Sequence, residues 1–401
     1  MMDKMDYDVI IVGAGPAGSI AARTIAENNF NVLVIEKKQE MGTPKRCAEG
    51  INIEGLKNVG LKPNPLWAIN KINGAVLYSP SGKSIRAVFE DMSGFVLERK
   101  IFEKHLAADA IRKGAKYMVK TRAIEVIKDN GFVNGIKVEY MGEVFDINAR
   151  IVIAADGVDS RIARSAGINT INALKDYHSG FQYEMAGIDN IDGNLLHLYF
   201  GEKIAPKGYV WIFPKGKDVA NVGIGILSAL SDEGSRAKDY LDRFIESHPE
   251  IFKNASPIEI NAGGIPVGGF LDTLVDNGFM VVGDAAHQVN PIHGGGIALA
   301  MDAGKIAGNV ASDALSKGNV SKESLYEYQR LWEMKFGNKL KSLLRLRSFL
   351  ERVTDDEFEI FADILSGEDI IKLTKSKYRF LIKLLMKKAP HMLPLAKRFL
   401  S

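Results

Sequence analysis

One cysteine, Cys47, is all the thiol chemistry these 401 residues contain. It closes no internal disulfide and cannot ligate an iron–sulfur cluster, so a reducing cytoplasm is the expected compartment. No apolar run reaches the ~18 residues of a membrane-spanning helix. A signal peptide is not expected either, because Met1-Met2-Asp3-Lys4 leads straight into a strand pattern. Internal repeats and low-complexity linkers are absent. Acidic residues are missing from the last stretch: Lys372 to Ser401 holds seven Lys, two Arg and no Asp or Glu. That tail carries +9 of a net +3, which leaves −6 on the other 371 residues. A basic end on an acidic body is a partner signal. No metal site and no nucleic-acid partner are expected.

What is present is ordinary in bulk, 46% hydrophobic and 25% charged, and long enough for two domains or more. The information lies in three glycine-bearing motifs in fixed order. The first, Gly13-Ala14-Gly15-Pro16-Ala17-Gly18, follows the apolar run Val9–Val12. The second, Ala155-Asp156-Gly157-Val158-Asp159-Ser160-Arg161, follows Ile151–Ala154. The third, Val282-Gly283-Asp284-Ala285-Ala286-His287, follows Phe279–Val281 and precedes Pro291 and Gly294-Gly295-Gly296.

A continuous apolar run reads as a parallel strand buried on both faces. After such a strand, Gly13 serves a tight turn, Gly15 lets backbone approach a pyrophosphate, and Gly18 lets the next helix pack closely. That helix, from about Ala17 to Glu27, aims free amides and the positive end of its dipole at the phosphates. The strand Val32–Ile35 ends in Glu36, 18 residues beyond Gly18, where an acid accepts ribose hydrogen bonds and repels a 2′-phosphate. The first motif alone does not separate NAD from FAD; the later two do.

Between the motifs the pattern changes period. Ala75–Val96 reads as a meander of short strands, and Glu98–Lys113 as an amphipathic helix with Phe102, Leu106 and Ala110 on one face. A hairpin is expected at Asn134-Gly135, then strands Ile136–Tyr140 and Val144–Ile147 leading into Ile151–Ala154. A β-rich stretch follows from about 176 to 270. Gly296–Leu315 reads as helical, and so does nearly everything from Leu325 on.

The ordered set resembles the glutathione-reductase-type FAD proteins of the p-hydroxybenzoate hydroxylase fold. The implied class is α/β (α+β): a discontinuous Rossmann FAD domain (1–75, 98–175 and 279–318), an inserted antiparallel β-sheet substrate domain (76–97 and 176–278), and a C-terminal helical domain (319–401). In that family the Asp-Gly motif orders the loop over the pyrophosphate. The resemblance gives Asp284 the ribityl chain, and gives Gly295, Gly296 and Ile297 a helix start facing the flavin N1–C2=O edge. A helix N-terminus there stabilises the negative charge of reduced flavin. Arg99 matches an arginine near the FAD ribose and phosphates, and Ala123 a strand position whose backbone meets the adenine.

Two further stretches resemble the geranylgeranyl reductase family. Lys45-Arg46-Cys47-Ala48-Glu49-Gly50 occupies the loop where that family has a cysteine near the flavin, which adds Cys47, Ala48 and Gly50 to the cofactor-binding set. Pro206-Lys207-Gly208-Tyr209-Val210-Trp211-Ile212-Phe213-Pro214 matches its PxxYxWxFP motif at every specified residue. Alternation puts Tyr209, Trp211 and Phe213 on one strand face, either as plain core or, as the family implies, as the wall of an apolar substrate cavity.

The implied activity is FAD-dependent reduction of isolated alkenes in geranylgeranyl chains of glycerophospholipid precursors, giving saturated, archaeol-type membrane lipids. Such alkenes have no carbonyl to polarise them, so a proton must reach one carbon while hydride reaches the other. Cys47, Tyr209 or a held water are the candidate proton donors. An external electron donor is required, whether ferredoxin, a deazaflavin or NAD(P)H. The tail adds a vote for the membrane surface: Arg379, Lys383 and Lys387 form a basic stripe, and Phe380, Leu381, Leu384 and Leu385 fall mostly opposite. The bland alternative packs that apolar face on the protein. Competing readings are a flavin monooxygenase or halogenase of the same fold, a quinone-linked flavoprotein dehydrogenase, and a non-catalytic flavin-binding module.

Overall fold

The structure, a computed structural model, describes residues 6–90, 93–232 and 234–374. The basic stripe from Arg379 to Lys387 lies outside the described residues. The three expected apolar runs are adjacent strands of one sheet. Its parallel part runs, in spatial order, Phe279–Val281, Glu143–Ala154, Asp6–Val12, Val32–Ile35 and Lys116–Met118. Both faces are covered, by the helix Pro16–Glu27 and by side chains such as Val133, Ile136 and Val138 of the strand Phe132–Tyr140, which is why Val9, Ile10, Ile11 and Val34 are fully buried and why no polar residue interrupts them.

A second sheet has seven strands, ordered Ser256–Pro266, Tyr177–Ala186, Val219–Leu227, Tyr209–Pro214, Leu195–Tyr199, Gly74–Tyr78 and Ser84–Val88. All its pairs are antiparallel except Leu195–Tyr199 with Gly74–Tyr78. The period-2 pattern sorts its two faces. Val210 and Ile212 point to a core shared with Leu241 and Phe244 of the helix Ala237–Glu246. Trp211 and Phe213 point the other way, toward Ile72 and Val96.

Two expectations change. The stretch Ala75–Val96 is not one meander: Gly74–Tyr78 and Ser84–Val88 extend the second sheet, whereas Gly94–Leu97 lies between Gly50–Asn52 and Ala68–Ile72 in a separate three-stranded sheet. Strand partners are chosen by distant chain, which short-range turn signals do not encode. The hairpin turn is at Asn130-Gly131, both at positive φ, and not at Asn134-Gly135. Gly135 sits inside the strand Phe132–Tyr140 beside a bulge, where a Cβ would lie 2.5 Å from the Ile147 carbonyl oxygen. Beyond it, the expected separate strands merge into one, Glu143–Ala154.

The C-terminal helices Lys322–Trp332, Asn338–Leu350 and Asp355–Ile364 share their buried side with the first sheet's core through Tyr328, Trp332, Leu343 and Phe349. The Tyr328 hydroxyl donates to the Val281 carbonyl at 3.0 Å, just before the third glycine motif. Glu359 reaches the second sheet, accepting from Ser79 Oγ at 3.0 Å and Ser81 N–H at 2.7 Å.

The helices Pro16–Glu27 and Ile297–Ser316 cross almost in backbone contact. A Cβ on Gly304 would stand 2.2 Å from the Ala17 carbonyl oxygen, and one on Gly308 would stand 2.8 Å from Thr24 Cβ. No side chain fits there, so the glycines set how closely the helices approach. Gly304→Ala is therefore expected to push the helices apart at a cost of about 1–3 kcal/mol. Thermal unfolding followed by flavin fluorescence should show a lower midpoint and a lower flavin content. An unchanged midpoint would mean that the crossing relaxes freely.

Candidate flavin and substrate site

At the C-terminal edge of the first sheet, the first two glycine motifs touch. Gly13 has φ +106°, and its Cβ would fall 2.3 Å from the Ala155 carbonyl oxygen, so only glycine fits. Glu36 is buried and braces the turn: Oε2 accepts from Ala14 N–H and Oε1 from Lys38 N–H, both at 2.9 Å. Above Gly15 the structure is open, with nothing within 4 Å of where a Cβ would sit. Gly15 also caps the helix Pro16–Glu27 without a side-chain partner, leaving that helix's first amides free. Gly18 packs on Gly13, and Ala17 on Gly283 of the third motif. Thr121 N–H donates to the Glu36 carbonyl at 2.9 Å, which brings the strand Thr121–Asp129, and so half-buried Ala123, to the Glu36 end of the cleft.

At the other end lie Asp284, Arg99 and Cys47. Asp284 is the second residue of the short turn Gly283–Ala286, and no described residue donates a hydrogen bond to its carboxylate. Burial pushes that carboxyl up, while the nearby Arg99 guanidinium pulls it back. Gly296 lies against it, since a Cβ there would stand 2.9 Å from Asp284 Oδ1. Gly296 in turn caps the helix beginning at Ile297 with no side-chain partner, while Gly295 N–H donates to His293 Nδ1 at 3.0 Å. Two uncapped helix N-termini, an open glycine and an unpaired carboxylate therefore share one cleft. An extended cofactor with a pyrophosphate, a polyol and an anion-forming ring fits each of them, as FAD does.

The loop bearing Cys47 is clamped between this cleft and the second sheet. Glu49 N–H donates to Cys47 Sγ at 3.1 Å. The Cys47 carbonyl accepts from Gln182 Nε2 at 3.1 Å, and Gln182 Oε1 accepts from Trp211 Nε1 at 2.9 Å. Ala48 O accepts from Asn221 Nδ2 at 3.1 Å, and a Cβ on Gly50 would meet the Phe213 ring at 2.9 Å. Arg99 donates from Nε to Glu103 Oε1 at 2.6 Å and lies close to Cys47. Burial alone would lower its pKa, but Glu103 and the Cys47 thiol together raise it.

Tyr209, Trp211 and Phe213 form a ladder with ring centroids 5.8 Å and 6.5 Å apart. Trp211 lies over Gly223, where a Cβ would meet its ring at 2.4 Å. The Tyr209 hydroxyl donates to the His293 carbonyl at 2.7 Å, and burial raises its phenol. Cys47, Ala48, Gly50, Arg99 and the three aromatics thus meet near Asp284, Gly295 and Gly296. Glu36 and Ala123 lie together at the opposite end.

Sequence reasoning missed the charged and polar residues that hold this junction. Lys45 and Glu49 are fully buried, and Lys215, one residue past the aromatic motif, nearly so. Lys215 Nζ lies 2.9 Å from Glu49 and from Glu98, and 3.0 Å from Glu184. The available signal was a polar or charged residue at an inward position of an otherwise apolar or aromatic strand, as at Gln182 and Glu184. His178 lies on that same face, buried, with Nε2 unpartnered. Burial, helped by the charge of Arg347, lowers its pKa to about 4.

Two outcomes follow from this geometry. Glu36→Gln leaves one carbonyl oxygen for the Ala14 and Lys38 N–H groups that two carboxylate oxygens serve, so the apoprotein should lose about 1–3 kcal/mol in urea unfolding even before any cofactor binds. Because the folded pKa of His178 lies below its unfolded value, the stability it contributes is complete above about pH 6.5 and falls as pH drops toward 4, by up to ~3 kcal/mol. Comparing urea midpoints of wild type and His178→Gln at neutral and mildly acid pH checks the sign. A wild-type midpoint no more acid-sensitive than the variant's would refute it.

Comparison with known proteins agrees with this layout. A family model of an FAD binding domain matches residues 6–192, and one of the geranylgeranyl reductase catalytic domain matches residues 176–265. The chain is 43% identical to digeranylgeranylglycerophospholipid reductase 1 of Methanothermobacter thermautotrophicus over 98% of each chain. It is 44% identical to the digeranylgeranylglycerophospholipid reductase of Methanocaldococcus jannaschii over 96% of each. Among solved structures, a geranylgeranyl bacteriochlorophyll reductase-like protein from Thermoplasma acidophilum superposes with a TM-score of 0.89 at 38% identity, covering 95% of this chain and 99% of that one. An FAD cleft closed by an aromatic sheet, in a chain this similar over nearly its whole length, belongs to the digeranylgeranylglycerophospholipid reductase family.

Proposed function

We propose that this protein uses FAD to reduce the isolated carbon–carbon double bonds of geranylgeranyl chains in glycerophospholipid precursors, yielding saturated membrane lipids. The observation that carries the reading is the hydrogen-bonded path Trp211–Gln182–Cys47, which presses an aromatic strand face against the loop beside the flavin cleft. When bound and reduced, the flavin supplies a hydride to one alkene carbon. The remaining work falls to this chain's own residues.

Protonating the other carbon develops tertiary cation character, which water would trap as an alcohol. Trp211 and Phe213, 6% and 9% exposed, keep that space apolar and dry. The ring faces of Tyr209 and Trp211 stabilise positive charge by about 0.5–2 kcal/mol each. We favour the Cys47 thiol as the acid. Its sulfur accepts from the Glu49 N–H at 3.1 Å, with the Arg99 guanidinium close by. Tyr209 is the weaker candidate, because its proton is committed to the His293 carbonyl and burial makes the phenol a poorer acid.

The electrons come from an external donor: ferredoxin, a deazaflavin or NAD(P)H. No helix among the described residues is long and apolar enough to cross a membrane. Contact with the cytoplasmic membrane face, through the basic tail, would give access to the lipid substrate.

The reading is tested without oxygen. Wild-type enzyme with reduced flavin should be reoxidised by a geranylgeranyl glycerophospholipid anaerobically, whereas a monooxygenase or halogenase would show no turnover. In the same assay Cys47→Ser and Cys47→Ala should keep their FAD and reoxidise at least about tenfold more slowly, since a serine hydroxyl is a far weaker acid than a thiol. Reoxidation of both variants at the wild-type rate would reduce Cys47 to a packing residue.

A further inference from the structure

The second sheet carries more glycine than its fold asks for. Gly208, Gly223 and Gly264 are dictated by packing. A Cβ on them would fall 1.8 Å from the Gly225 carbonyl oxygen, 2.4 Å from the Trp211 ring and 1.5 Å from the Tyr177 hydroxyl, respectively. Gly180, Gly225 and Gly263 are different. None has a positive φ. A Cβ would meet nothing nearer than 3.7 Å at Gly225, 3.4 Å at Gly263 and 3.2 Å at Gly180. Glycine inside a strand weakens it, and marks a place where something else comes close to the backbone.

These three glycines are direct cross-strand partners. Gly263 opposes Gly180, Gly180 opposes Gly225, and Gly225 opposes Tyr209. Opposed residues share a face, so the row is a trough running across the strands beside Trp211. Tyr209 closes one end, and the stem of Arg46, from the loop of Cys47, lies over Gly263 at the other. A second observation points to a ligand in the trough. His178, on the same face, puts Nδ1 3.8 Å from the Cβ position of Gly225. It is only 7% exposed, yet its Nε2 has no hydrogen-bond partner among the described residues. Polar side chains buried in a packed core are paired.

We propose that this row seats the methyl branches of the isoprenoid chain, with His178 taking the ether oxygen that joins the chain to glycerol. The inference rests on the proposed reduction of geranylgeranyl chains. Adjacent strands stand about 4.8 Å apart and methyl branches recur about every 5 Å along an extended isoprenoid, so one strand step matches one isoprene unit. A chain lying across the strands drops successive methyls into the gaps over Gly225, Gly180 and Gly263. Sliding by one strand seats it again in the same pose, and brings the next double bond to the place the last one left. Only two carbons separate the ether oxygen from the first branching carbon, so a methyl over Gly225 leaves that oxygen beside His178. The imidazole has an N–H to donate in either tautomer, and an ether oxygen can only accept.

A seat for methyls differs from a plain apolar wall in what it discriminates. FAD-loaded enzyme is titrated in detergent micelles with diphytanyl glycerophosphate and with its unbranched counterpart, dihexadecyl glycerophosphate, while flavin fluorescence is followed. Wild type should bind the branched lipid more tightly. Gly225→Ala fills one gap, so it should bind the branched lipid about tenfold more weakly and the unbranched one within about twofold of wild type. Its flavin content and unfolding midpoint should not fall; if it misfolds, Gly263→Ala fills another gap and carries the same test. No preference in wild type, equal weakening of both lipids, or no weakening overturns the seat. His178→Phe should weaken the branched diether severalfold, but not an analogue with a methylene in place of each ether oxygen. Equal loss for both, or no loss, overturns it too. If wild-type enzyme leaves the geranylgeranyl parent lipid unreduced, it is the proposed function that fails, whatever the variants bind.

Discussion

The close crossing of the helices Pro16–Glu27 and Ile297–Ser316 is the constraint on which the site depends. Each helix begins without a side-chain cap, and each leaves its first amides open toward the same cleft. Amide ends and dipole ends of the same sign repel, so nothing in the two termini favours bringing them together. What brings them together is backbone packing at Gly304 and Gly308 and the seating of Ala17 on Gly283. The cleft thus holds two concentrations of positive potential that an anionic cofactor satisfies simultaneously, and the apoprotein carries an electrostatic tension that the ligand relieves.

The three glycine motifs were legible because their demands are local. A strand end, a positive φ and a helix start occupy successive residues, so sequence order alone records them. The aromatic strand was legible for the same reason: period 2 assigns Tyr209, Trp211 and Phe213 to one face, and packing against Ile72 and Val96 identifies which face that is. The meander between residues 75 and 96 misled because a strand's neighbour is set by hydrogen bonds to remote chain. Gly74–Tyr78 pairs in parallel with Leu195–Tyr199, and nothing near residue 75 announces that partner. The turn at Asn134-Gly135 misled differently. Two turn-forming pairs lie a few residues apart, and the bulge at Gly135 uses the glycine that the other pair would have spent on reversing the chain.

The charged junction was illegible for a third reason. Lys45, Glu98, Glu184, Lys215 and Glu259 each read as ordinary solvated charges where they stand in the chain, and only the fold gathers them out of water. Their burial is costly, and apolar residues of similar volume would hold the same loop with less penalty. That cost argues that the network does something packing cannot.

The active centre is therefore assembled at a boundary between two opposite environments. On one side the aromatic face and the glycines beneath it exclude water and present no strong base; on the other, mobile charge is trapped in quantity. Cys47 belongs to both, through its carbonyl to Gln182 and Trp211 and through its sulfur to the Glu49 N–H. An unactivated alkene demands this arrangement. The proton must be delivered where nothing else can react with the cation it creates, yet its source must stay connected to water. On the reading proposed above, the Cys47 thiol is the group that stands at this seam.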